Sequence, residues 1–254
     1  MDLMNLPIIT VLGFVLGTVD AAFGMGYGTI LTPVLILLGY KTLQIVPAVI
    51  LSQLVADFLS VFFHHQFKNV NMSWRSNDLK VGAALAGFSL VGSVAAVLFA
   101  LKISPFALNL YIGILVFMVG VIVLWTRERH SDFSWLRLLF LGSIASFNKG
   151  LSGGGYGPIV TGGQVLAGVD PRPAIGITQL AEGVTCIAAV ITYWVTKTPF
   201  NWPLSIALSI GVTISAPLAA FIVHKIPQKG LKVTIGVLTL IMGTLTILKT
   251  ARVF

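Results

Sequence analysis

The sequence predicts an all-α polytopic membrane protein of two inverted repeats, each a broken helix pair around a Gly-rich motif plus three transmembrane helices. Three observations carry that prediction. First, only 9% of the 254 residues are charged and 56% are hydrophobic, whereas soluble domains average about 25% charged. The mean hydropathy of +0.96 has no soluble explanation at this length. Second, the apolar residues come in long runs rather than short alternating segments, which selects helices over a β-barrel. Third, one glycine–tyrosine motif occurs twice, as Gly24-Met25-Gly26-Tyr27-Gly28-Thr29 and as Gly153-Gly154-Gly155-Tyr156-Gly157-Pro158. A glycine inside a helix costs about 1 kcal/mol relative to alanine, and several together open it. Opened backbone at membrane depth is tolerated only where it is buried in protein or lines a cavity. Two such openings at matching places in two halves point to a transporter's binding site.

The elements follow in order. Residues 6–23 form a short apolar piece, interrupted by Gly13, Gly17 and Asp20. The first motif follows, then a second short piece over 30–38 containing Pro33. These two pieces read as a helix pair broken inside the membrane. Residues 43–63 make a full span, with Gln53 and Asp57 four apart and therefore on one face. Residues 81–101 span again, with small residues such as Gly82, Ala86 and Gly87 that let helices approach closely. Residues 106–126 complete the first half, with Trp125 at the expected interfacial level.

A polar loop, 127–137, is the natural midpoint. It divides a first repeat, 1–126, from a second, 138–254, and is itself expected to be a cytoplasmic linker. In the second half, 135–147 and 159–167 are the short pieces around the second motif, while 174–195, 203–223 and 233–248 are the spans. The span 174–195 carries Gln179 and Glu182. A shift of 129 residues carries Tyr27 onto Tyr156, Gly13 onto Gly142, and Gly24, Gly26 and Gly28 onto Gly153, Gly155 and Gly157. A shift of 126 then carries Gln53-Leu54 onto Gln179-Leu180.

The net charge of +8 comes from lysines and arginines that fall mainly between the apolar runs. That pattern orients a membrane protein and does not call for nucleic acid. The three loops richest in basic residues (68–80, 127–137, 225–232) are expected on the cytoplasmic side. They all reach that side if each broken pair enters and leaves on one face, because three full spans per half then invert the second half. Lys41, Lys102, Lys197 and both termini would lie outside. The single Cys186 excludes an internal disulfide framework and a cysteine metal cluster. Residues 1–23 carry Asp2, lack a basic start and run into the motif, which does not suit a signal peptide.

With the motifs in hand, the chain resembles the sulfite exporter TauE/SafE family. The resemblance rests on the duplicated motif (Gly24 to Pro33, Gly150 to Pro158) and on Asp170-Pro171-Arg172-Pro173-Ala174 before a span opening Gly176-Ile177-Thr178-Gln179. It covers nearly the whole chain. It implies a multi-pass protein of the bacterial cell inner membrane that moves a small sulfur-containing anion such as sulfite, a sulfonate or sulfoacetate.

The residues suggest how an anion is held. A helix start offers free N–H groups and partial positive charge. The helices expected to begin at Thr29 and Pro158 can converge on one midplane point in an inverted repeat. The candidate substrate site is therefore Gly24, Gly26, Tyr27, Gly28, Gly153, Gly154, Gly155, Tyr156 and Gly157, with Gln53, Gln179 and Lys149. A charge at the bilayer centre costs about 3 kcal/mol or more, which makes Lys149 a candidate for neutralising the anion. Its bland alternative is snorkelling to the interface. The repeat partner of Lys149 is Asp20, which can pair with it or bind a proton. Asp57 and Glu182 are candidates for proton coupling, since desolvation favours a protonated carboxyl. Their bland alternative is an interhelical hydrogen bond. The tyrosines can offer hydroxyls to substrate or fill space. His64 and His65, adjacent at a span end, are expected at the interface. Arg172 is expected to anchor and Cys186 to pack.

Neither cofactor nor metal is implied. Residues 153–157 follow no strand of a βαβ unit, and no Gly-Lys-Ser/Thr follows them, so they are not a nucleotide loop. The expected partners are the lipid bilayer, the anion and protons, and a homo-oligomer is compatible with the pattern. Two rival functions stand beside coupled alternating access. One is an uncoupled, channel-like anion pathway. The other, less favoured, is a membrane enzyme acting on a sulfur compound, for which the sequence offers no nucleophile–base pair.

Overall fold

A computed structural model describes residues 6–38, 40, 42–100, 105–125, 132–152, 156–195 and 200–252. Its described elements are ten α-helices: α1 (Leu6–Phe23), α2 (Tyr27–Leu37), α3 (Thr42–Gln66), α4 (Asn77–Ala100), α5 (Pro105–Trp125), α6 (Trp135–Ser152), α7 (Tyr156–Leu166), α8 (Pro171–Val195), α9 (Trp202–Lys225) and α10 (Gln228–Arg252). Five stretches, in α1, α3, α8, α9 and α10, are long and apolar enough to cross a membrane. The chain is a multi-pass membrane protein. Its outward faces carry rows of large apolar side chains, such as Ile206, Ile210, Ile214 and Phe221 on α9. Water would not tolerate such a continuous apolar exterior, and a bilayer covers it.

The first break falls where the glycines stand. α1 ends at Phe23 and α2 begins at Tyr27. Gly24 and Gly26 take positive φ, +69° and +115°, a backbone region where a β-carbon would be strained. The second half repeats the pattern with α6 and α7 either side of 153–155, but Gly153, Gly154 and Gly155 themselves lie outside the described residues. Three boundaries around the breaks differ from expectation. α6 runs on to Ser152, so Lys149 lies within a helix rather than after it, although its side chain is outside the described residues. The short helices begin at Tyr27 and Tyr156, two residues earlier than Thr29 and Pro158. The expected linker residues Arg127 to His130, and the loop lysines Lys41, Lys102 and Lys197, are also outside the described residues.

Contacts pair off between the halves. α1 packs along α9, and its repeat counterpart α6 packs along α4. Gly13 of α1 meets Leu208, and the matching Gly142 of α6 meets Leu85. α3 and α8 pack on each other and on the fourth helix of the opposite half. α5 and α10 are joined along their length by glycine approaches. Gly113 lies against Ile247, Gly120 against Leu240, and Gly236 against Leu124, so α5 and α10 run antiparallel. Buried apolar clusters surround each break. Leu31, Leu35 and Val49 pack with Leu208 and Val212 near the first, and Leu85, Leu138 and Ile159 pack near the second.

Candidate functional site

The two breaks meet. The backbone of Gly157, in the first turn of α7, lies so close to the Gly24 carbonyl and Met25 that no β-carbon fits there. Opened backbone needs hydrogen-bond partners, and α7 supplies one. Thr161 Oγ1 donates to the Gly24 carbonyl at 3.0 Å. Thr161 in turn sits 2.9 Å from Thr178 Oγ1, and Gln164 Nε2 donates to Thr178 Oγ1 at 2.8 Å. All three side chains are buried. This polar strut between α7 and α8 holds the first break in place.

The start of α2 carries a carboxylate. Tyr27 N–H donates to Asp20 Oδ1 at 3.1 Å, and both residues are buried. Asp20 reaches forward from the last turn but one of α1 across the break. It satisfies a free donor and sets negative charge against the positive end of the α2 dipole. The helix start predicted to hold a substrate anion in the first half is thus occupied by a carboxyl group of the protein itself.

Around Asp20 the other predicted polar residues converge. Gln179 Nε2 donates to the Asp20 carbonyl at 3.1 Å and to Oδ2 at 3.4 Å. Gln53 Nε2 donates to Glu182 Oε1 at 2.7 Å, joining α3 to α8 across the halves. One oxygen from each of Asp20, Asp57 and Glu182 lies within 4.8 Å of the others. All three are at most 4% exposed. Carboxylates this close and this desolvated repel one another unless positive charge stands among them. Cys186, expected only to pack, is buried and points Sγ at Asp57 Oδ2 from 3.9 Å.

Both motif tyrosines are buried and hydrogen-bonded. Tyr27 Oη is 2.8 Å from Ser52 Oγ, and Ser52 donates its own hydrogen to the Val49 carbonyl, so Tyr27 is the donor. Tyr156 Oη is 2.6 Å from Ser89 Oγ on α4. Gly28 sits in the first turn of α2. Arg172, at the start of α8, donates Nη2 to the Ile226 carbonyl at 2.8 Å and so ties α8 to the end of α9, as an anchor should.

His64 corrects the sequence analysis. It was expected at the interface beside His65, yet it is fully buried between α1 and α9. Its signal was present in the sequence. Gln53, Asp57, Ser60 and His64 are spaced by four, three and four residues, one continuous stripe on α3. Ser52, Ser89 and Thr161 gave no comparable signal, because lone hydroxyls in apolar runs usually bond their own helix.

Residues 9–246 match the family model described as Sulfite exporter TauE/SafE. The chain is 24% identical to a probable membrane transporter protein of Bacillus subtilis, YtnM, over 96% of this chain and 83% of that one. It is also 24% identical to a probable membrane transporter protein of Methanocaldococcus jannaschii, over 97% of each. No solved structure matches it.

Proposed function

Because the chain belongs to the TauE/SafE sulfite exporter family and is a membrane transporter, we propose that it moves a small sulfur-containing anion, of sulfite, sulfonate or sulfoacetate type, by alternating access. The observation that carries the site assignment is the bond from Tyr27 N–H to Asp20 Oδ1. It fills one of the two half-helix starts with the protein's own carboxylate. The substrate is assigned to the other start, at α7, on charge. The residue equivalent to Asp20 there is Lys149, so this half offers positive charge where the first offers negative. A tetrahedral or pyramidal oxyanion suits a helix N-terminus and a cationic side chain.

Asp20, Asp57 and Glu182 supply coupling. An anion arriving beside three buried carboxylates is repelled unless protons accompany it, and this links substrate occupancy to protonation. Gln53 and Gln179 spend amide hydrogens on Glu182 and Asp20, which suits them to positioning these acids more than to touching substrate.

The antiparallel α5–α10 pair and the matched α1–α9 and α6–α4 contacts support inverted halves, 1–126 and 138–254, rocking about the 3–8 helix crossing. The activity assigned is transport, not catalysis. The test is flux of labelled sulfite and of a small sulfonate into proteoliposomes, with and without an imposed pH gradient. Gradient-driven flux is expected. Flux indifferent to the gradient would favour the uncoupled pathway, and no flux of either anion would remove the substrate assignment.

A further inference from the structure

The coupling acids are not the end of the buried polar stripe on α3. His64 lies about 10 Å beyond Asp57 by helical rise, towards the loop that bears Lys68 and Arg75. Ser60 stands between them, buried, its Oγ without a hydrogen-bond partner. The His64 ring is bonded at both nitrogens. Nε2 is 2.8 Å from the carbonyl of Ala21, the residue after Asp20 on α1. A carbonyl only accepts, so Nε2 carries the hydrogen. Nδ1 is then a bare acceptor, and Asn69 Nδ2 donates to it at 3.1 Å. The same Nδ2 gives its other hydrogen to the Ala220 carbonyl of α9 at 2.8 Å. Asn69 Oδ1 is buried and has no hydrogen-bond partner. A neutral imidazole therefore ties α1, α3 and α9 together at one end of the molecule.

Asn69 is held where it must be. α3 ends with Lys68 N–H donating to the His65 carbonyl at 3.0 Å and Asn69 N–H to the His64 carbonyl at 2.8 Å. That is a Schellman end, with Lys68 at the left-handed position usually given to glycine (φ +57°). Among the described residues it is the one non-glycine with positive φ. Such backbone persists where the surroundings fix it, and here it fixes the Asn69 amide against the ring.

We propose that His64 and Asn69 form a proton-operated latch on α9, closed when His64 is neutral and open when it is protonated. The chemistry is a conflict of donors. A proton added at Nδ1 turns that acceptor into a donor facing the Asn69 amide hydrogens. Rotating the amide relieves the clash, because Oδ1 then accepts from Nδ1–H. The rotation also withdraws Nδ2 from Ala220, so the one proton that charges the ring releases α9. The titratable groups around the ring are Asp20 on α1, Asp57 on α3, His65 and Lys68 at the end of α3, and His224 with Lys225 on α9. A proton leaving the coupling cluster by way of Ser60 would reach His64 next. The place of the latch in the transport cycle rests on the proton-coupled function proposed above; its chemistry does not.

The test therefore needs no substrate. Imidazole nitrogen NMR on ring-labelled protein follows His64 from about pH 8 to about pH 3, with H64Q assigning the signal. Hydrogen exchange of the peptide 67–72 is measured on the same samples and corrected for the intrinsic pH dependence of exchange. The expected result is an Nε2–H neutral ring at high pH, and loss of protection in 67–72 that tracks its protonation. H64Q should show no such transition. N69D keeps the site's size and puts a carboxylate beside Nδ1, so its transition should move up by about one pH unit or more. A ring that titrates without any change in exchange, a ring that stays neutral to about pH 3, or the same transition in folded H64Q would overturn the latch. None of these outcomes depends on whether sulfite is the cargo.

Discussion

The two breaks share a backbone plan and differ in charge. In the first, Asp20 bends forward seven residues and caps α2 through Tyr27 N–H. In the second, the equivalent position is Lys149, and α7 begins against the first break's backbone with Gly157 on Gly24. One half-helix start is thus capped by an acid of the protein, while the other lies in the half whose equivalent position is a lysine. Perfect symmetry would make two weak anion sites, or place two cations beside one anion. An acid at one break and a lysine at the equivalent position of the other make the two unlike in charge, which is what the proposed division into one substrate site and one proton site requires.

The largest expected effect separates the breaks by charge. Lys149→Ala should lower anion affinity about a hundredfold, which corresponds to ~3 kcal/mol for a charge-assisted contact, while gel filtration still shows a monodisperse protein. Binding calorimetry checks it, and near-normal affinity would remove Lys149 from the site. The next effect tests their contact. Gly157→Ala should destabilise the protein by about 1–3 kcal/mol because backbone must move to admit the methyl. Gly87→Ala, where nothing lies within 4 Å, should be neutral or slightly stabilising in thermal melts. If the two behave alike, the breaks are not packed as described.

A third prediction sharpens the functional division. Asp57→Asn and Glu182→Gln should bring gradient-driven flux down towards the rate seen without a gradient, while leaving anion binding in place. Unchanged driven flux in both would end the coupling role. The smallest effects belong to the tyrosines. Tyr27→Phe and Tyr156→Phe each lose one buried hydrogen bond, worth about 1 kcal/mol in a melt. Affinity should barely change, since both hydroxyls are already bonded to serines. A large loss of affinity in either would return that hydroxyl to the substrate.

Much of the architecture was legible because the bilayer simplifies the code. An apolar run is a helix and a glycine cluster inside it is a break, so the limits of α1 and the site of the first opening followed from residue type alone. The helix starts at Tyr27 and Tyr156 were missed by two residues, because glycine before and after a tyrosine does not say which one ends the turn. Pairings across the halves were not legible. Nothing in the sequence near Gln53 says that its amide will meet Glu182 rather than its own half. The cap by Asp20 was legible in principle, being local, but an acid in a broken helix reads equally well as a proton carrier. His64 was misjudged because a polar loop follows it. The stripe from Gln53 through Asp57 and Ser60 was the better guide, and it places the histidine in the core.

The most direct measurement is equilibrium binding of sulfite to the purified wild type, Lys149→Ala and Asp20→Asn. Asparagine keeps an oxygen for Tyr27 N–H, so Asp20→Asn preserves the cap while removing its charge. With the substrate at α7, Lys149→Ala should lower affinity about a hundredfold and Asp20→Asn should hold affinity within about threefold, a fraction of a kcal/mol, or improve it. If Asp20→Asn abolishes binding while Lys149→Ala leaves it intact, the anion sits at the first break and the division of labour between the two is the reverse of the one described.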